Sequence, residues 1–143
     1  MKLNMAVLCD RATVREGLLH ILGAGVTRCS LALPGAPDLD LAILLQGEGL
    51  DDLAGRHTMT VEIKDSEGQG VGRAELGWDG PTVDPSAAED LIPQLPVAIP
   101  IRAIQFTNPG EHTVTVAVDG HELTRLSVFI TKAEIPGVTF RMA

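Results

Sequence analysis

In the stretch "HTMTVEIK", His57 to Lys64, the apolar Met59, Val61 and Ile63 alternate with Thr58, Thr60, Glu62 and Lys64. A repeat of two sends successive side chains to opposite faces, so this segment reads as a strand with one buried and one wet face, as in an antiparallel sheet. The same period recurs along the chain. Nowhere does helical spacing persist over the roughly 11 residues that a long helix needs. The chain is therefore expected to be all-β. Candidate strands run Leu3 to Cys9, Leu18 to Thr27, Leu39 to Gln46, His57 to Lys64, Val71 to Trp78, Leu95 to Phe106, His112 to Val118 and Glu122 to Thr131. About eight strands with short turns predict an Ig-like antiparallel β-sandwich with at most single helical turns. A length of 143 residues suits one two-layer core and is too short for two, so 1–143 is read as a single domain.

Several strands show their partners or their place. "DSEGQG", Asp65 to Gly70, supplies turn residues between His57–Lys64 and "VGRAELGW", where Ala74, Leu76 and Trp78 share a parity, predicting a hairpin. In "IPQLPVAIPIRAIQF", Leu95, Val97, Ile99 and Ile101 fall on one face and Pro96 and Pro100 on the other. Proline cannot donate to a ladder, so this strand belongs at an edge, where its prolines also discourage strand addition. Two single helical turns are expected, one at "SAAEDL" with Ser86 and Glu89 in capping-box spacing, the other at "DRATVREG" with Thr13 and Glu16.

The last hairpin, Pro109 to Ile130, contains a parity conflict. With a plain two-residue turn at Asp119-Gly120, Val114, Val116 and Val118 would share a face with His121, Leu123 and Arg125, and Leu126, Val128 and Ile130 would point away from the core. Either an extra residue within Leu123 to Arg125 or a three-residue turn with left-handed Gly120 must restore them.

Charge and aromatic content narrow the function. The net charge is -8, and the Lys and Arg residues are scattered, so a nucleic-acid backbone is not an expected partner. Trp78, Phe106, Phe129 and Phe140 are the only large aromatic rings, too few to build stacking platforms for bases or carbohydrate. The N-terminal "MKLNMAVLCDR" is too short and mixed for a signal peptide, and no apolar run reaches the roughly 20 residues of a membrane helix. A cytoplasmic protein is expected, with Cys9 and Cys29 as two buried thiols rather than a disulfide.

No catalytic, cofactor-binding or metal-binding residue is assigned. Tetrahedral metal sites usually announce themselves by close Cys or His pairs, and none occurs; His20, His112, His121, Cys9 and Cys29 would have to converge by folding alone. Cys9 follows Ala6, Val7 and Leu8 and reads as a packed thiol, and Asp10 as a carboxylate accepting backbone N–H groups in the next turn. "GAG", Gly23 to Gly25, lacks the third glycine and the helix of a dinucleotide site, so it reads as a strand bend. Trp78 reads as core or interface filler.

The N-terminal "AVLCDRATVREGLLHILGAGVT" and C-terminal "NPGEHTVTVAVDGHELTRLSVFI" together resemble a bacterial domain-of-unknown-function family of small proteins. Its marks are "CD" after the first strand, "L-x-I-L-G-A-G" and a "P-G-x-[aromatic]…V-D-G" close. The resemblance implies an Ig-like sandwich and imports no activity. His112 stands where such domains put an aromatic ring, so it is expected to replace the phenol of a tyrosine corner, bonding back across the corner. The functional expectation is a non-enzymatic module working through a protein partner or a homo-oligomer, including as a subunit of a larger assembly or phage-like particle. The alternative is a small-ligand-binding or hydrolytic protein using Cys9, Asp10 and a nearby histidine.

Overall fold

The structure is a computed structural model and describes residues 1–80 and 93–133. The strands are β1 (Lys2–Arg15), β2 (Leu18–Ala24), β3 (Arg28–Leu31), β4 (Asp40–Gln46), β5 (Gly55–Lys64), β6 (Gly70–Gly80), β7 (Gln94–Pro100), β8 (Gly110–Val118) and β9 (His121–Lys132). Single 3-10 turns occur at Leu50–Asp52 and Ile101–Ala103. The chain is all-β, in two sheets of order β2-β1-β4-β7 and β3-β9-β8-β5-β6.

One core joins the sheets. Leu8, Leu41, Ile43, Leu45, Val97 and Ile99 from the first meet Met59, Val61, Ile63, Val114, Val116, Val128 and Ile130 from the second. These are the residues that period-two alternation assigns to inward faces. The β5–β6 hairpin pairs Met59 with Leu76 and Val61 with Ala74, as their parity requires. Its turn is tied by Asp65, whose Oδ1 accepts the N–H groups of Glu67 and Gln69 at 3.0 and 2.9 Å. Among the described residues β7 pairs with β4 alone and ends the first sheet, the place its prolines dictate.

The last hairpin resolves its parity conflict at Leu123. Val118 pairs with His121 and Ala117 with Glu122, but Val116 then pairs with Thr124, leaving Leu123 as the extra residue. The two-residue turn is left-handed at both positions, Asp119 at φ 51° and Gly120 at φ 81°, which matches the strand twist. Beyond the bulge Val114 faces Leu126, and Val128 and Ile130 return to the core.

Six expectations need correction. There are nine strands among the described residues, because "RCSL" forms β3, and the sheets are not wholly antiparallel, because β3 runs parallel to β9. The second strand stops at Ala24 rather than Thr27: Gly25, at φ 95°, bends the chain, and the N–H groups of Gly25 and Val26 both bond to the Leu8 carbonyl before the chain crosses to the other sheet. The first strand continues past Cys9 to Arg15. Thr13 and Glu16 cap no helical turn, since β-branched Thr13 and Val14 favour extended backbone and Glu16 and Gly17, at φ 53° and 73°, make a hairpin turn. The strand expected to reach Phe106 ends at Pro100, where a 3-10 turn redirects the chain and Phe106 returns as a bridge to Gly35. The expected turn at "SAAEDL" lies outside the described residues.

Past Cys9 the β1–β2 hairpin leaves the plane of its sheet. In a flat sheet β2 would lie about 14 Å from β7, yet the two are in contact, and β2 also touches β4. This arm folds across the outer faces of β4 and β7. Asp40 and Ala42, on the side of β4 away from the core, are buried accordingly.

Candidate functional site

The bend of the arm is held by a carboxylate. Asp40 pairs with Cys9 at the last rung between β1 and β4, and its side chain is buried. One oxygen accepts the Ala12 N–H at 2.9 Å, the first free donor after β1 leaves β4, and the other accepts from the Arg102 guanidinium at 2.8 Å. Cys9 lies fully enclosed beside it, with Sγ 3.5 Å from the Asp40 carbonyl oxygen. Burial first, then the Asp40 and Asp10 carboxylates, push the Cys9 thiol above its ordinary pKa. That is the reverse of what a nucleophile needs.

The role expected of Asp10 therefore falls to Asp40. Asp10 is exposed and continues as strand, its carboxylate lying over Gly23, whose left-handed φ of 67° and missing Cβ admit it. The four histidines do not converge on one site, although His57 and His121 both border a pocket beside Asp119. His20 lies on the exposed face of the arm, His57 on β5, His112 in the core and His121 beside the last turn. No group of three His, Cys, Asp or Glu residues positioned to hold a metal ion occurs among the described residues.

His112 bonds back across the Pro-Gly corner. Its Nδ1 lies 2.9 Å from the Gly110 carbonyl oxygen, which makes Nδ1 the donor, and its ring stacks on Phe106 at 4.9 Å between centroids. The histidine thus supplies the corner bond expected of an aromatic at this position.

His57, which the sequence did not single out, is clamped on both sides. Nδ1 lies 2.7 Å from Asp119 Oδ2 and Nε2 lies 2.7 Å from the Ala54 carbonyl oxygen. Both partners only accept, so the protonated ring, in which both nitrogens donate, is the form that satisfies the clamp on both sides. It stacks on Trp78 at 5.2 Å. The bond to Asp119 is the main reason that the His57 pKa is raised and, reciprocally, that the Asp119 pKa is lowered. A group with a raised pKa contributes stability below its unfolded value, near 6.5 for His57, and loses it as pH climbs through the folded value. Asp119 contributes above about 3.8 and loses its share as pH falls through its lowered value. Urea titrations from acid to alkaline pH should therefore show a decline in stability above about pH 6.5 that His57→Gln flattens. A decline unchanged in that variant would remove the clamp from the account.

The arm also builds a surface. Arg15 pairs with Leu18 and Thr13 with His20, so Leu18, His20 and Leu22 share the outer face, while Ala12, Val14, Leu19 and Ile21 turn toward β4 and β7. Leu18 is 62% and Leu22 68% exposed. Ala12, Thr13 and Val14 line a groove of about 430 Å³ with Leu95 to Ala98 of β7 and Leu76 and Trp78 of β6. Its walls are mostly apolar, and Trp78 Nε1 is buried there with no hydrogen-bond partner among the described residues. Isolated exposed leucines are ordinary, but Leu18 and Leu22 share one outer face of an arm whose other face borders an apolar groove, and contiguous apolar surface of this kind marks a contact surface.

Residues 4–131 match the model of a family of unknown function, DUF6941. The chain belongs to this family. The match takes in both stretches that carried the resemblance, along with the arm, the groove strands and the last hairpin. No curated protein matches the sequence. Among solved structures the chain is similar to part of the Pseudomonas fluorescens alkylpurine DNA glycosylase AlkC bound to DNA containing an abasic site analog. The identity is 16% and the TM-score 0.39, over 88% of this chain and 30% of the glycosylase. No helix among the described residues is long and apolar enough to cross a membrane.

Proposed function

We propose that the chain is an Ig-like, non-enzymatic module that acts through protein–protein contact, with the arm and its groove as the contact surface. The carrying observation is that the arm exposes apolar side chains on both of its faces, Leu18 and Leu22 on the outer face and Val14, beside Leu76 of β6, at the groove. Two free thiols suit a reducing compartment, and the reading takes the protein as cytoplasmic, or as a component of a phage-like particle if its partner belongs to one. The test is the native mass of the chain in a lysate of its own cell. The wild type is expected to run well above 15.1 kDa, and Leu76→Lys or the pair Leu18→Lys and Leu22→Lys to lower that mass. A wild-type chain at its monomer mass, or a mass that neither variant changes, would end this reading.

A second reading is favoured by the groove itself. Its size and apolar walls suit a small apolar ligand. A stoichiometric small molecule released from the purified chain would select it over protein contact.

A further inference from the structure

We infer that β2 is the pairing edge of a two-fold homodimer, with β2 of one copy adding antiparallel to β2 of a second copy in a register centred on His20. The inference rests on the protein-contact reading and names the partner as this chain.

The four sheet edges differ in how they resist strand addition. Strand β7 carries Pro96 and Pro100, β3 has only four residues, and β6 carries Arg73, Glu75 and Asp79 among four glycines. Strand β2, "LLHILGA", has seven residues with no proline and no Asp, Glu, Lys or Arg. It lacks the devices by which an edge avoids other strands. It is also apolar on both faces, a pattern that belongs to covered strands.

The hairpin geometry sets which groups face outward. A two-residue turn closes on a hydrogen-bonded Arg15/Leu18 pair, so by alternation Thr13/His20 and Arg11/Leu22 are hydrogen-bonded pairs as well. Leu19 and Ile21 then turn their N–H and C=O groups to the open edge, where no described strand pairs with them. Centring two copies on His20 sets Leu19 against Ile21 of the second copy, an outward pair against an outward pair, as an antiparallel ladder needs. The same register sets Leu18 of each copy opposite Leu22 of the other, so the most exposed leucines meet.

Charge favours the same approach. The chain carries -8 overall and two copies repel on average, whereas Asp10 to Ala24 balances Arg11 and Arg15 against Asp10 and Glu16 and is neutral. The arm is a place where an acidic chain can meet its own copy.

The test uses the purified full-length chain and light scattering after size exclusion over a range of concentrations. The wild type is expected at twice 15.1 kDa. Leu18→Lys combined with Leu22→Lys sets like charges opposite one another and is expected to weaken dimerisation about tenfold or more. Leu18→Glu combined with Leu22→Lys sets opposite charges at the same positions and is expected to restore it. In a Cys29→Ser background, His20→Cys is expected to link the two copies by disulfide under mild oxidation, because residues opposite at a non-hydrogen-bonded site lie within bridging distance. Thr13→Cys, one strand away, is expected not to. A purified chain that stays monomeric, a Glu/Lys pair no tighter than the double lysine, or equal linking at both cysteine positions overturns the inference. A monomeric purified chain beside a large species in the lysate would overturn the homodimer while leaving protein contact standing. Monomer in both would end both.

Discussion

Phe106→Ala is expected to cost about 3–5 kcal/mol of folding stability, since Phe106 is the largest fully buried side chain among the described residues. Phe106 is fully enclosed, stacks on His112 and forms the bridge to Gly35 with hydrogen bonds in both directions. Truncation leaves a cavity under the corner and removes the ring against which the histidine is packed. Small domains hold only about 5–15 kcal/mol in total, so the variant should be marginal. Trp78 is the only tryptophan and reports unfolding by its fluorescence in urea. Phe106→Leu refills most of the volume and is expected to recover more than half of the loss. Equal losses in the two variants would show that ring stacking, and not cavity formation, dominates.

Asp40→Ala is expected to cost about 3 kcal/mol, because it strands the Ala12 N–H in a covered position and removes a charged acceptor from Arg102. Asp40→Asn keeps an oxygen for Ala12 and loses the charge and the acceptor that face Arg102. Arg102 is about half exposed, so its pairing is screened and the asparagine variant is expected to cost no more than about 1 kcal/mol. The two variants separate the carboxylate's two roles. If they were equally destabilised in urea, the ion pair would be holding the arm and the backbone bond would be secondary. Amide hydrogen exchange adds a local readout: Asp40→Ala should speed exchange along β1 beyond Cys9 and along β2, and leave β8 and β9 unchanged.

Much of the sheet plan was legible in the residues. Met59, Val61 and Ile63 announced a half-buried strand by period alone, and the prolines of β7 announced an edge, because each signal is local to one strand. The parity conflict at Leu123 was legible for the same reason: two alternating segments joined by Asp119-Gly120 cannot both face the core without an extra residue. The arm was misread. "DRATVREG" carries a helix-capping spacing that competes with its own alternation, and its strand state depends on the Glu16-Gly17 turn and on a carboxylate 28 residues away in sequence. Strand β3 was missed because "RCSL" is too short to show a period and is held by its parallel pairing with β9.

The candidate site follows the same division. Cys9 was readable as a packed thiol because its apolar neighbours already imply burial. The family resemblance rested on short motifs at both ends of the chain, and the match over residues 4–131 runs through the middle between them. Asp40, His57 and the exposed face of β2 were not readable. An aspartate at a strand start, a histidine in an alternating run and a strand apolar on both faces each have an ordinary local meaning. By itself, the sequence determined most of the strands, the inward faces, the protected β7 edge and the need for a parity shift in the last hairpin, since these depend on side-chain period and turn chemistry within one or two strands. Only the tertiary structure decided that the first hairpin bends out of its sheet, that Asp40 holds the bend, that both nitrogens of His57 have partners and that no described strand pairs with the outer edge of β2. Each of those depends on distances between groups far apart in the chain, and local pattern carries no measure of such distances.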